Sequence, residues 1–132
     1  MALKVVGKPA GRIEGPDKVT GRLRYAADLS VPGMLWGKVL RSPFPHARIL
    51  KVDTSRASQL SGVHAVITGA DLPDRRVGRL LRDIPVLARD KVLFHGHAVA
   101  AVAAATAHLA EEALALIDVD YEVLKPVIDL LD

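Results

Sequence analysis

The sequence predicts an α+β fold, a mixed sheet carrying two helices with an extended N-terminal arm in front of it. Three observations predict it. Two strand-like runs, Leu35 to Arg41 and Ala47 to Val52, flank a corner that holds Pro43 and Pro45. The run Val99-Ala100-Ala101-Val102-Ala103 is apolar at every position, then passes into apolar residues at helical spacing and a cleanly alternating strand. Residues 7–33 contain Gly7, Pro9, Gly11, Gly15, Pro16, Gly21, Pro32 and Gly33, a density of turn formers that argues against a helix or a central strand. The expected organisation is an arm over 1–33 and a folded domain over 34–132.

Within the arm, Tyr25-Ala26-Ala27-Asp28-Leu29 is the apolar foothold, and so long and weakly periodic a segment is expected to lie across another surface. At the corner, each proline fixes its own φ and biases the preceding residue toward extended geometry, giving a stiff link. Asp53 or Thr54 can cap a short helix over Ser55 to Leu60, with Gly62 placed to end it. Val63 to Thr68 reads as a strand and Ala70 to Pro73 as a turn. Residues 73–91 form a polar connection in which Asp83 to Ala88 is a short apolar insert, expected to tuck under the loop.

Lys91 to Phe94 and a turn at His95-Gly96-His97 lead into Val99 to Ala103, which should be a central strand covered on both faces. Thr106 can cap a helix over Ala107 to Ile117, its apolar side made of Ala107, Ala110, Ala113, Leu114 and Ile117. Asp118 to Val123 alternates, with Val119, Tyr121 and Val123 expected inward. Strand, helix and strand in succession imply a right-handed crossover.

Composition excludes several classes of function. Half of the 132 residues are apolar, enough for a core without staples. With no cysteine there is no disulfide, thiolate metal site, iron–sulfur ligation or Cys nucleophile. Met1 to Pro9 lacks the apolar stretch of a signal peptide, and Ala98 to Ala107 is too short to span a bilayer. The expectation is a soluble cytoplasmic protein with no membrane insertion. The formal net charge of +3 owes much to Arg75, Arg76, Arg79, Arg82, Arg89 and Lys91, a cluster diluted by Asp74, Asp83 and Asp90 and free of aromatics. A basic patch without stacking residues predicts a solvated loop docking on a partner rather than a nucleic-acid surface.

The candidate chemical residues do not assemble into a site. His95 and His97 could share a metal in an extended segment, but no neighbouring ligand completes a set of three; a tight turn at Gly96 with imidazoles bonded to backbone is the better reading. His46 could be a general base, but nothing in sequence orients it, so a corner histidine bonded to backbone is expected. Ser42 has no nucleophile-elbow context. Gly7, Gly11 and Gly15 lack the strand and helix that a dinucleotide loop needs. Glu111-Glu112 and Asp118/Asp120 read as solvated faces. The chain is therefore expected to hold no catalytic, cofactor-binding or metal residue, and Arg12, Tyr25, Arg41 and His46 are the expected partner contacts.

Val6-Gly7-Lys8-Pro9, Asp17-Lys18-Val19-Thr20-Gly21, Tyr25 to Asp28, Pro32-Gly33-Met34-Leu35, Arg41-Ser42-Pro43, His46 to Ile49, Val52 to Ser55, Gly62 to Val66, Asp71-Leu72-Pro73, Gly96 with Val99 to Val102, and Val119 to Glu122 form an ordered set. Together they resemble the opening of the molybdenum-binding large subunits of the xanthine dehydrogenase/aldehyde oxidase family. The resemblance implies an α/β-hammerhead domain, non-catalytic and lying ahead of the regions that hold the cofactor. His97-Ala98 departs from the acidic or amide residue and proline that often follow the glycine of the late motif. The implied whole enzyme uses a molybdopterin-type molybdenum cofactor, with iron–sulfur clusters and flavin (FAD) on partner subunits or domains. The partners so implied are the remaining molybdopterin-binding domains and the iron–sulfur and FAD subunits. Pro85 to Val92 and Leu114 to Leu124 look most like 4-hydroxybenzoyl-CoA reductase large subunits, with carbon monoxide, nicotinate and aldehyde-oxidising relatives left open. The alternative is a free-standing interaction module without enzyme activity.

Overall fold

The computed structural model describes residues 6, 7, 9, 11–129 and 131. Residues 1–5, where no leader is expected, and Lys8 of the Val6–Pro9 motif lie outside the described residues. The chain divides into two compact units, Met1–Pro32 and Gly33–Asp132.

The first unit is not without helix. Gly15–Val19 forms one turn of helix, α1, with Pro16 in its first turn, where proline is tolerated because the N–H it lacks has no intrahelical partner anyway. Thr20 Oγ1 closes the turn by donating to the Pro16 carbonyl at 2.7 Å. Tyr25 precedes a 3₁₀ turn over Ala26–Asp28, and its N–H donates to Asp28 Oδ2 at 2.9 Å.

The second unit holds β1 (Trp36–Arg41), β2 (Ala47–Asp53), α2 (Ser55–Ser58), β3 (Val63–Thr68), β4 (Arg76–Val77), β5 (Ile84–Pro85), β6 (Lys91–Val92), β7 (Ala98–Ala104), α3 (Ala107–Ala115) and β8 (Asp118–Val123). The fold is α+β, as the sequence predicts, but the single mixed sheet is not formed. The strands make a sheet in the order β1-β7-β3, a second in the order β6-β2-β8 and a β4-β5 ribbon, and each of these pairings is antiparallel. The expected crossover fails for a topological reason. β1 and β3 already occupy both edges of β7, so the chain leaving α3 pairs β8 with β2 in the other sheet. The same holds for β2, α2 and β3.

Two apolar clusters hold this arrangement. In the first, Ala100, Val102 and Ala104 of β7 meet Ala110 and Ala113 of α3, with Ala57 and Ile117 alongside. Alanine contributes little area, about 0.8 kcal/mol per buried carbon, so the stability of this layer comes from close helix-to-sheet approach. Thr106 caps α3 by accepting from the Leu109 N–H at 3.2 Å. In the second cluster, Val99 of β7 packs with Ala47, Ala88 and Val92, flanked by Phe44 and Tyr121, whose rings meet edge to face at 5.2 Å. Val99 thus belongs to one sheet and packs against the other. Val123, expected inward, is 60% exposed at the end of β8, beyond the reach of either cluster. The Asp83 to Ala88 insert does tuck in, burying Leu87 and Ala88.

Short polar locks fix the connections. Asp53 Oδ1 accepts from the Ser55 N–H at 3.1 Å and its hydroxyl at 2.7 Å, while Oδ2 takes Lys51 at 2.9 Å. The Ser55 hydroxyl first, and Lys51 after it, hold the Asp53 carboxyl well below the usual carboxylate range. Asp53 rather than Thr54 therefore secures the start of α2. Arg89 ties the far loop down by donating to the carbonyls of Gly69 at 3.1 Å and Leu72 at 2.7 Å.

Candidate functional site

The corner after β1 and the turn before β7 are laced together. The backbone slips in register between Leu40 and Arg41, releasing the chain from the sheet just before Ser42. Ser42 N–H then donates to the His97 carbonyl, and Gly96 N–H donates to the Ser42 carbonyl, both at 2.9 Å. Gly96 adopts φ +83°, a left-handed conformation that glycine accepts without strain. Arg41 Nη1 crosses back to the Gly96 carbonyl at 2.9 Å.

This turn separates the two histidines instead of aligning them. His95 is exposed, whereas His97 is buried with its ring stacked on Phe94 at 4.5 Å between centroids. The Leu93 N–H donates to His97 Nδ1 at 3.2 Å, which places the proton of the neutral ring on Nε2. Nε2 has no hydrogen-bond partner among the described residues. Burial pushes the imidazole below its ordinary value, opposed only in part by the Pro85 backbone. No group of three His, Cys, Asp or Glu comes together among the described residues.

The remaining candidate side chains have structural partners. Ser42 is buried; its Oγ donates to the Phe44 carbonyl at 3.1 Å and accepts from the Phe44 N–H at 3.0 Å. A hydroxyl so engaged in a local turn is not poised as a nucleophile. His46 Nδ1 donates to the Lys125 carbonyl at 2.9 Å, the backbone partnership the sequence favours. Glu111 pairs with Lys38 at 2.6 Å across α3 and β1. Among the proposed contacts, Arg41 and His46 bracket the proline corner of the second unit, and His46 shares a groove with Phe94, His95 and Val127. Arg12, beside Glu14 at 3.6 Å, and the exposed Tyr25 belong to the first unit.

These residues do not fit a molybdopterin. The one buried side-chain polar atom without a partner among the described residues, His97 Nε2, belongs to a ring stacked on Phe94, and the grooves are open surface features.

A family model described as "Aldehyde oxidase and xanthine dehydrogenase, a/b hammerhead domain" matches residues 20–125. The chain belongs to this family. It is 50% identical over 123 residues to a probable xanthine dehydrogenase subunit of Bacillus subtilis (strain 168), covering 92% of this chain and 16% of that protein. It is 42% identical over 123 residues to the nicotinate dehydrogenase large molybdopterin subunit of Eubacterium barkeri, covering 92% of this chain and 29% of that protein. The solved CO dehydrogenase from Oligotropha carboxidovorans superposes with a TM-score of 0.87 at 41% identity, over 93% of this chain and 16% of that one. The chain therefore spans less than a third of the length of these relatives. It has the hammerhead fold of the family's large subunits, and no described helix is long and apolar enough to cross a membrane.

The cover expected on both faces of Val99 to Ala103 is found on one: the face of the β1-β7-β3 sheet turned away from α3 leaves Gly37, Val39, Ala65 and Ile67 exposed. A strand apolar on both sides calls for a cover on both sides, and α3 covers one.

Proposed function

We propose that this hammerhead domain is a non-catalytic architectural piece of a cytoplasmic molybdopterin-dependent oxidoreductase. It packs against the cofactor-holding domains of the large subunit and fixes their orientation. The observation that carries this reading is the superposition of nearly the whole chain on a small part of the CO dehydrogenase chain. The whole enzyme then uses molybdenum chemistry, with iron–sulfur clusters and FAD on its partners. The arm, residues 1–33, and the body, residues 34–132, contact those partners through Arg12, Tyr25, Arg41 and His46. Within the family the substrate is read as that of a 4-hydroxybenzoyl-CoA reductase, supported by Pro85 to Val92 and Leu114 to Leu124.

The test is a transplant. The Bacillus subtilis protein is expressed with this chain in place of its matched stretch, and soluble assembly and molybdenum content are measured. Assembly near the parental level is expected, and purified chain alone should bind no molybdenum. A transplant that never assembles overturns the architectural reading, and stoichiometric metal on the purified chain overturns the non-catalytic one. Alanine at Arg12, Tyr25, Arg41 and His46 together should lower assembly; an unchanged yield removes those contacts. The native complex, assayed with 4-hydroxybenzoyl-CoA, xanthine, nicotinate and carbon monoxide, tests the substrate.

A further inference from the structure

The register of the first sheet sorts its side chains into two faces. Lys38 pairs with Val102, Leu40 with Ala100, and Val66 with Val102. These point to α3, where Lys38 reaches Glu111 and Ala100 and Val102 are buried. Gly37 pairs with Ala103, Val39 with Ala101, Ala65 with Ala103 and Ile67 with Ala101. Paired residues of antiparallel strands project to the same side, so these six share the opposite face.

These six positions carry no polar side chain and are not buried; His64, exposed at the register slip between Val63 and Ala65, sits at their edge. Gly37, Val39, Ala65 and Ile67 are exposed, and Ala101 and Ala103 are half-buried. An antiparallel sheet that meets water on one side ordinarily turns polar residues outward. The exposed stretch also continues a covered one, because Val99, next in line on β7, is fully buried against the second sheet.

We infer that this face, centred on Gly37, Val39, Ala101 and Ala103, is the seam on which the remainder of a molybdenum-family large subunit packs, through a flat apolar surface whose backbone approaches closely. The inference rests on the architectural reading above and says which surface carries it. Three observations favour this occupant. Most of the CO dehydrogenase chain lies outside the part this chain matches, so relatives have ample polypeptide to supply the cover. The absence of charge on the face disfavours a nucleic acid or an anionic ligand. A second copy is disfavoured by size, since a stable interface takes about 20–30 residues a side. A segment tethered in the same polypeptide needs far less, because tethering raises its effective concentration.

Gly37 supplies the test. A Cβ built there meets only the Val102 carbonyl oxygen, at 4.0 Å, so Gly37→Val fits the domain and raises a ridge on the face. Ala101→Glu puts a charge at its centre. In the isolated chain, both variants should keep the parental CD spectrum, and Gly37→Val should melt no lower than the parent. In the Bacillus subtilis transplant, both should cut soluble assembly at least tenfold. Full assembly of both variants overturns the seam while leaving the architectural reading intact. Failure of the unmodified transplant overturns that reading and the seam with it. If the isolated chain sediments as a dimer that Gly37→Val dissociates, the occupant is a second copy and the inference is wrong. Hydroxyl-radical labelling should modify Val39 and Ile67 in the isolated monomer; their protection would assign the cover to the chain's own residues and also overturn it.

Discussion

A methyl group on Gly69 would sit 2.6 Å from the carbonyl oxygen of Ala88, so these two residues meet at backbone distance where the 3₁₀ turn Gly69–Asp71 crosses the buried insert. Neither neighbour can give way, since Ala88 N–H is bonded to the Ala98 carbonyl at 2.7 Å and Arg89 Nε is bonded to the Gly69 carbonyl. Gly69→Ala is expected to destabilise the chain by about 1–3 kcal/mol, the usual cost of forced overpacking. Urea denaturation of the 132-residue chain measures it. Gly37→Ala, whose Cβ would make only an ordinary contact with the Val102 carbonyl oxygen at 4.0 Å, is the control, and equal midpoints for the two variants would contradict the contact.

His97 should make stability depend on acid. Its folded value lies below the ordinary 6.5, so near and below that pH the unfolded chain binds more protons than the folded one. Stability is therefore complete above the unfolded value and declines as pH falls through the folded one. His97→Gln keeps an acceptor for the Leu93 N–H but cannot titrate, so the variant should lose less stability between neutral pH and pH 5. Thermal melts at half-unit pH steps decide it: parallel curves for the two proteins would show that other groups set the acid limit.

How much of this was legible in the sequence depends on how local each feature is. Val63–Thr68 and Asp118–Val123 were readable because alternation is written in adjacent residues, and Thr106 because a cap acts three residues ahead. The partner of each strand was not. Nothing in Asp118 to Val123 says that it pairs with β2 rather than β7, because that depends on which edges are already taken. α1 was missed because its glycine and proline read as breakers, although Pro16 stands where a helix admits proline. His46 and His97 were read correctly as backbone partners, but His95 is exposed, and Gly96 turns the pair apart, which a spacing of two cannot reveal. The open sheet face was half legible: Val99 to Ala103 announced a need for two covers, and only the register showed which one the chain leaves unfilled.

Thr106 caps the N-terminus of α3 through its side chain, accepting from Leu109 N–H. Thr106→Ala should cost about 1 kcal/mol, the typical loss of a cap, and Thr106→Ser or Thr106→Asp should restore most of it. Chemical denaturation of the three variants checks this. Equal stability for alanine and serine would mean that packing of Ala110 and Ala113 holds the helix without help from its cap.

Ala113 tests the claim that the first cluster depends on close approach rather than on bulk. It is fully buried on α3 with Ala100, Val102 and Ala104 of β7 in the same cluster. If the layer were loosely packed, Ala113→Leu would add buried carbon and raise stability. If helix and sheet meet at alanine distance, the added carbons must push α3 away from β7, at a cost of about 1–3 kcal/mol. The second outcome is expected, because alanine dominates this contact and both ends of α3 are anchored, at Thr106 and at the Ile117–Asp118 entry to β8. A displaced helix should also weaken the Lys38–Glu111 pair, so Ala113→Leu should be less sensitive than the parent to the further change Glu111→Gln. A stabilised Ala113→Leu protein would show that the layer has room, and the preference for alanine there would need another cause.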